Sequence, residues 1–286
     1  MEQIKKIFVT GATGKQGGAV VRALLKNGFA VKALTRNSSS PAAQILKGLH
    51  AEVIQGDLND TASYEDEIRD VDGIFSVQTF ENGTDKEIKQ GIDLANLAKT
   101  HGIKYFLYSS LIGADLHTGI PHWECKFIVE NHIRQISLPN CIIRPGSFFE
   151  NFLIPAVKKR ILKGKLASPV DRNIKQPFIS AHDIGVISAV IFQNPDQYLG
   201  KTLVLVAAEM DMDQVSVVFS EVLGKKISYQ KLPMFITRLV MGKNLYKMFA
   251  WINKDKGMIL ENLEKTNEFS NMLDLRNWIK LRFENS

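Results

Sequence analysis

The sequence contains little cysteine and no long hydrophobic run. Its two cysteines, Cys125 and Cys141, form no Cys-x-x-Cys pair and no disulfide framework, which is typical of a protein in a reducing compartment. The longer apolar runs, such as residues 186–192, are far too short to span a bilayer. Strand-like residues begin within a few positions of Met1, so we expect neither a signal peptide nor a transit peptide. The sequence therefore predicts a cytoplasmic protein without a membrane partner.

The sequence also lacks a basic segment interleaved with aromatic residues, and it shows no recognition-helix pattern. Its formal net charge of +6 suits either an acidic partner or an anionic cofactor. The densest basic cluster, at residues 158–165, has the pattern of a solvated helix face. We therefore expect no nucleic-acid partner. No metal site is predicted either.

Apolar runs alternate with helical patterns along the first half of the chain. After an initial strand-like run, strands are predicted at 30–35, 51–55, 73–77, 105–108 and 140–144, with helices at 41–48, 61–69, 84–101 and 121–136. Short connections between alternating strands and helices favour an α/β fold. In this fold a doubly wound parallel sheet carries helices on both faces.

The alternation loosens after residue 146. A helix is predicted over 148–163, a short strand over 174–179 and another helix over 181–193. We therefore predict a first domain at 1–150. Residues 151–286 are predicted to form a smaller mixed α/β lobe that shares a core with that domain.

Three glycines follow the first apolar run at intervals of three residues, and a helical pattern comes directly after them. A tight glycine turn before a helix brings backbone N–H groups and the positive end of the helix dipole close to a pyrophosphate. The spacing is Gly-x-x-Gly-x-x-Gly rather than the commoner Gly-x-Gly-x-x-Gly, but the strand before it and the helix after it indicate a dinucleotide site. The candidate cofactor-binding residues in this turn are Gly11, Thr13, Gly14, Lys15, Gln16 and Gly17.

The end of the second predicted strand bears on which dinucleotide is bound. In sites for NAD, an acidic side chain at this position holds the ribose 2′-hydroxyl, but residues 34–40 contain no carboxylate. Arg36 could instead pair with a 2′-phosphate, and the serines at 38–40 could add hydroxyl donors. The alternatives for Arg36 are a plain surface position or stacking on adenine. The missing carboxylate favours NADP(H).

Further candidate cofactor contacts follow the third and fourth strands. Asp57 could accept a hydrogen bond from the adenine amino group while Leu58 covers the ring. Asp57 could equally cap the helix that starts near residue 61. Gln78 and Thr79 follow the fourth strand, at the sheet edge where the second half of the cofactor would lie.

These segments together resemble the NmrA-like family, an atypical branch of the short-chain dehydrogenase/reductase superfamily. The resemblance rests on 9–18, Arg36 and 56–58, and is strengthened by 108–110, Lys126, 144–151 and 177–185. It implies a Rossmann-type fold, with the domain at 1–150 as the NADP-binding Rossmann domain, and a preference for NADP(H). It also implies one of two functions, because some members resemble NADPH-dependent quinone or enone reductases. Others resemble redox sensors that bind the cofactor and regulate a protein partner.

The chain departs from the catalytic pattern of that superfamily. Short-chain dehydrogenases generally carry Tyr-x-x-x-Lys on one helix face, with a serine from the preceding strand. The matching positions here hold His122 and Lys126, and Ser109 is the candidate serine. Lys126 is predicted to contact the nicotinamide ribose, the alternative being a solvated helix-face lysine. His122 could serve as an acid or be a hydrogen-bonded structural residue. Cys125 could be an activated thiol or a buried inert one.

Four residues are candidates for a substrate pocket. Ser110 ends the fifth strand, whereas Phe148, Phe149 and Asn151 follow the sixth and could form an aromatic wall. The alternative for the two phenylalanines is core packing under the second lobe.

Two hypotheses of function follow. The first is an NADPH-dependent oxidoreductase that passes a hydride directly to a small-molecule substrate, a quinone or a similar conjugated carbonyl. Such an acceptor relaxes the need for a tyrosine, because water or a weak acid can supply the proton. The second is an NADP(H)-responsive sensor with a protein partner. A sugar-nucleotide epimerase is disfavoured by the missing tyrosine. The sequence favours the oxidoreductase.

Overall fold

The computed structural model describes residues 3–79, 83–255, 268–269 and 271–283. They divide into two compact units. The first unit comprises the described residues of 1–116, 121–144 and 181–203, and the second comprises those of 117–120, 145–180 and 204–286. The chain therefore leaves the first unit after Arg144 and later returns to it, which differs from the single predicted boundary at residue 150.

The first unit is built from alternating strands and helices. In chain order they are β1 (Lys6–Val9), α1 (Lys15–Lys26), β2 (Ala30–Thr35), α2 (Pro41–Gly48), β3 (Glu52–Gln55), a 3-10 turn (Thr61–Ser63), α3 (Glu65–Ile68), β4 (Gly73–Ser76), α4 (Thr84–Thr100), β5 (Tyr105–Ser109), α5 (Pro121–Gln135) and β6 (Asn140–Pro145). These bounds agree closely with the alternation predicted from the sequence.

The remaining elements follow after residue 146. They are β7 (Ser147–Phe148), a 3-10 helix (Phe149–Leu153), α6 (Pro155–Leu162), β8 (Lys165–Ser168), β9 (Gln176–Ile179), α7 (Ala181–Gln193), α8 (Pro195–Tyr198), β10 (Thr202–Leu205), β11 (Ala208–Met210), α9 (Met212–Leu223), β12 (Ser228–Lys231), α10 (Met234–Asp255, interrupted at Gly242) and α11 (Leu275–Phe283). None of the helices in the described ranges is long and apolar enough to cross a membrane.

A seven-stranded sheet with the order β10-β6-β5-β4-β1-β2-β3 forms the centre of the first unit. Its neighbouring pairs from β3 to β6 all run parallel. This is the doubly wound order, in which the chain reverses direction across the sheet between β1 and β4 and leaves a crevice at their carboxyl ends. The predicted fold class is confirmed.

The second unit contains two small sheets. One has the order β11-β9-β7, and the other pairs β12 with β8 in parallel. The helix predicted over 148–163 is wrong in its first half, because the helix α6 starts only at Pro155. A residue before proline is driven out of the helical region, and Ile154 accordingly has the extended ψ of 127°. Proline itself suits the first helical position.

The close packing of α7 on α1 explains why the chain returns to the first unit. A Cβ atom on Gly185 of α7 would lie 2.6 Å from the carbonyl oxygen of Ala19 in α1. The two backbones therefore approach closely because position 185 has no side chain.

We expect Gly185→Ala to lower the free energy of unfolding by about 1–3 kcal/mol, because its methyl group forces the two helices apart. Denaturant unfolding measures the loss. The control is Gly48→Ala, since a Cβ atom at this position in α2 meets no atom within 4 Å. That variant should be as stable as the wild type or slightly more stable. Equal stability of the two variants would contradict the packing argument.

Candidate functional site

The glycine turn between β1 and α1 depends on close contact between backbone atoms. Gly11 has a φ of +59°, and its carbonyl oxygen accepts a hydrogen bond of 2.9 Å from the N–H of Gly14. A Cβ atom on Gly17 would lie 2.2 Å from the same carbonyl oxygen. No side chain fits there, so the turn folds directly onto the first turn of α1.

The amino end of α1 keeps its positive character. Gly14 is the N-cap residue, and no side chain caps the helix there. The first turn contains no acidic residue, while Lys15 lies exposed at the first helical position beside the exposed Thr13. Uncapped N–H groups, the helix dipole and a lysine together favour an anionic group such as a phosphate.

Gln16 is the one predicted residue of this turn whose side chain is buried. Its Nε2 atom donates to the Oγ atom of Ser109 at 2.5 Å, which links α1 to the end of β5. Gln16 therefore lies inside the sheet edge rather than on the surface of the turn.

Arg36 follows β2 and is exposed. In the part of the chain that the structure describes, its guanidinium makes no hydrogen bond or ion pair. The serines beside it differ in this respect: Ser38 donates to Gln55 Oε1 at 2.5 Å, and Ser40 caps α2 by accepting from the N–H of Ala43. The guanidinium of Arg36 can thus pair with an anionic ligand, because no described residue engages it.

Asp57 does not cap the following helical turn, so that alternative is wrong. Its Oδ1 atom accepts from the N–H and the Nδ2 of Asn59, at 2.9 and 2.8 Å, whereas the N-cap position of the 3-10 turn is held by Asp60. Leu58 is half-buried and packs against the core of the first unit. The pairing of these residues with adenine stays a prediction.

Lys126 of α5 lies at the carboxyl ends of β4 and β5. Its Nζ atom donates to the carbonyl oxygens of Gln78 and Ser109, at 3.0 and 3.3 Å. It also forms an ion pair of 2.8 Å with Glu87 Oε1, and both side chains are buried. Lys126 is therefore not a solvated helix-face lysine. The structure brings Lys126 together with the predicted residues Gln78 and Ser109. It also brings Lys126 together with Glu87, which was not predicted from the sequence.

The missed residue is Glu87. It lies on the buried stripe of α4, which contains Glu87, Gln90, Gly91, Leu94, Ala95 and Ala98. A carboxylate on a buried stripe that otherwise carries no charge was the available signal, because a buried charge needs a partner.

The buried histidine, tyrosine and cysteine beside Lys126 are all neutral at pH 7. Burial lowers the pKa of His122 to about 4, against a smaller opposing effect of Glu87, so the imidazole is neutral at pH 7. Burial raises the pKa of Tyr108 well above its usual value. It also raises the pKa of the Cys125 thiol, which donates to Glu87 Oε2 at 3.0 Å. Cys125 is thus a buried, protonated thiol, and a neutral His122 is a poor source of protons.

Gln78 and Ser110, two of the predicted site residues, each have a buried side-chain atom without a hydrogen-bond partner among the described residues. These atoms are the Oε1 atom of Gln78 and the Oγ atom of Ser110. Buried polar groups are nearly always satisfied, so these atoms indicate a place for a polar ligand group. Thr79, the next residue after Gln78, is exposed.

The aromatic candidates for a substrate pocket lie in the second unit. Phe149 is fully buried in that unit's core, with its ring centroid 5.9 Å from Phe178 and 5.6 Å from Trp278. Phe148 is half-buried and Asn151 is exposed. Phe149 therefore packs in the core of the second unit, as the alternative interpretation expected. The substrate pocket stays a prediction.

We expect His122 to make stability depend on pH. Its pKa of about 4 in the folded chain lies below the usual histidine value of 6.5, so the unfolded chain binds more protons between these two pH values. The contribution of His122 to the free energy of unfolding is therefore complete above pH 6.5 and falls as the pH drops towards 4. Over this range the wild type should lose about 2–3 kcal/mol more than His122→Gln. Denaturant unfolding across that pH range measures both; parallel curves would contradict the assignment.

The chain is similar in sequence to proteins of one known family. The profile of the NmrA-like family matches residues 3–274. A protein of Dictyostelium discoideum with an NmrA-like family domain is 30% identical over 96% of this chain and 98% of its own. The nitrogen metabolite repression protein NmrA of Emericella nidulans is 28% identical over 81% of this chain and 69% of its own.

A solved structure shares the fold. The crystal structure of Citrobacter sp. triphenylmethane reductase complexed with NADP(H) matches with a TM-score of 0.79 at 21% identity, covering 96% of this chain and 99% of that one. The family match and the relative of Dictyostelium confirm the resemblance seen in the sequence: the chain belongs to the NmrA-like family.

Proposed function

We propose that the chain binds NADP(H) and is an oxidoreductase that reduces a small electron-poor acceptor, such as a quinone or a conjugated carbonyl. The observation that carries the cofactor assignment is the glycine turn, in which Gly17 lies so close to Gly11 that a Cβ atom would be 2.2 Å from a carbonyl oxygen. The uncapped amino end of α1 and the available guanidinium of Arg36 complete a surface suited to three phosphates.

The residues present fit this cofactor. The turn at 11–17 would hold the pyrophosphate, and Arg36 the 2′-phosphate. Asp57 and Leu58 would hold the adenine. The unsatisfied Gln78 and Ser110 side chains, with Thr79, would face the nicotinamide half. When bound, NADPH supplies a hydride.

The chain's own residues favour an acceptor that needs no proton from the protein. His122 is neutral at pH 7, and Tyr108 and Cys125 are buried and keep their protons. Lys126 is engaged by Glu87 and two carbonyl oxygens. These groups hold the sheet edge in place, while a proton can reach a quinone from the solvent. The related fold named triphenylmethane reductase, complexed with NADP(H), supports this interpretation.

The lack of a ready proton donor beside Lys126 also favours a second candidate function. A site without a ready proton donor also suits a protein that binds NADP(H) without turnover and regulates a partner. The Emericella relative named a nitrogen metabolite repression protein supports this alternative.

We expect Arg36→Ala to weaken NADP(H) binding by about tenfold to a hundredfold and to leave NAD(H) binding nearly unchanged, since the variant loses the phosphate contact. Titration calorimetry with all four nucleotides measures the change. Arg160→Ala removes the same charge from an exposed position on α6 and serves as the control. Equal losses for both cofactors in Arg36→Ala would refute the assignment.

We expect the protein to oxidise NADPH in the presence of small quinones and conjugated carbonyls. The absorbance of NADPH, followed with a panel of such acceptors, measures the rate against a reaction without protein. Turnover supports the oxidoreductase. Tight binding without turnover on the whole panel, together with a nucleotide-dependent change in protease sensitivity, would instead support the regulatory alternative.

A further inference from the structure

A buried ion pair lies under the carboxyl edge of the sheet. The Glu87 and Lys126 side chains are 1% and 8% exposed, and their charged atoms lie 2.8 Å apart. Removing two charges from water is costly, so a buried pair is weak evidence for stability. The pair therefore calls for an explanation other than a contribution to folding.

Lys126 has little capacity left for hydrogen bonds to a ligand. An ammonium group has three N–H donors. Two of them are used by the carbonyl oxygens of Gln78 and Ser109, and Glu87 Oε1 lies against the same nitrogen atom. Lys126 thus acts on its surroundings mainly as a fixed positive charge.

Glu87 is held as firmly as its partner. Its second oxygen, Oε2, accepts from the Cys125 thiol at 3.0 Å. The carboxylate is therefore fixed on both sides, and its negative charge lies beside the positive charge of Lys126. A ligand at this sheet edge meets a pair of opposite charges rather than a lone cation.

The oxidised and the reduced form of the cofactor differ in the charge of the nicotinamide ring. The nicotinamide ring of NADP⁺ carries a positive charge, whereas that of NADPH is neutral. A lone ammonium nearby would repel the oxidised ring, and a paired carboxylate cancels much of that repulsion. We propose that Glu87 sets the redox-state preference of the cofactor site: it neutralises Lys126 and allows the oxidised form to bind nearly as well as the reduced form. This inference rests on the proposed binding of NADP(H).

The test compares the dissociation constants of NADP⁺ and NADPH by titration calorimetry. In Glu87→Gln the side chain keeps its shape but loses its charge, so the ratio of the NADP⁺ constant to the NADPH constant should rise by about tenfold. In Glu87→Asp the charge is kept, and the ratio should stay near that of the wild type. A structural role alone would shift both constants together.

The chain offers a matched control in Glu130→Gln. Glu130 is also a buried carboxylate of the first unit, and Arg144 donates to both of its oxygens, at 2.9 and 2.7 Å. This variant should lose stability but keep the wild-type ratio. Should Glu87→Gln fail to fold, Lys126→Met provides the opposite change, with a ratio below that of the wild type. The double variant should return the ratio towards the wild-type value.

The outcomes separate this inference from the proposed function. If the wild type binds both nucleotides and the ratio is unchanged in Glu87→Gln or in Lys126→Met, the inference is overturned and the proposed function stands. If the wild type binds neither nucleotide, both are overturned. A raised ratio in Glu87→Gln and a lowered one in Lys126→Met support the inference.

Discussion

The contact between the first turn of α1 and the carbonyl of Gly11 is the constraint on which the rest of the first unit depends. Because position 17 has no side chain, α1 starts directly over the end of β1. The helix then presents Ala19 to Gly185 of α7, and Gln16 reaches the end of β5. One backbone approach thereby sets the place of a helix, the direction of its amino end and the position of a second helix.

The succession of strands and helices along the first half of the chain and the glycine turn could be predicted from the sequence, because both depend on local signals. An apolar run, a glycine series and a helical period each lie within one short segment. The ion pair of Glu87 could not be predicted in the same way. Its partner lies on another helix, and the sequence does not show which faces of α4 and α5 meet. The low pKa of His122 likewise depends on burial by distant residues. The short strands β8 and β11 carry too few residues for a clear alternation.

Charge is arranged differently on the outside and the inside of the sheet edge. Lys15 and Arg36 lie exposed along the surface, with their cationic groups in contact with water. Lys126 lies inside, where Glu87 balances it. The exposed cations can attract a polyanion from solution, while the interior stays close to neutral. This arrangement suits a ligand with a highly charged end and a weakly charged end.

The return of the chain to the first unit has a consequence for how the protein can be divided. A fragment that stops at residue 150 would lack α7 and β10, so α1 would lose its packing partner and β6 would become an open sheet edge. The first unit is therefore not an independent module that can be cut out, fused or exchanged at that point. Because its integrity requires chain synthesised after residue 180, it cannot be completed during translation until part of the second unit has been made.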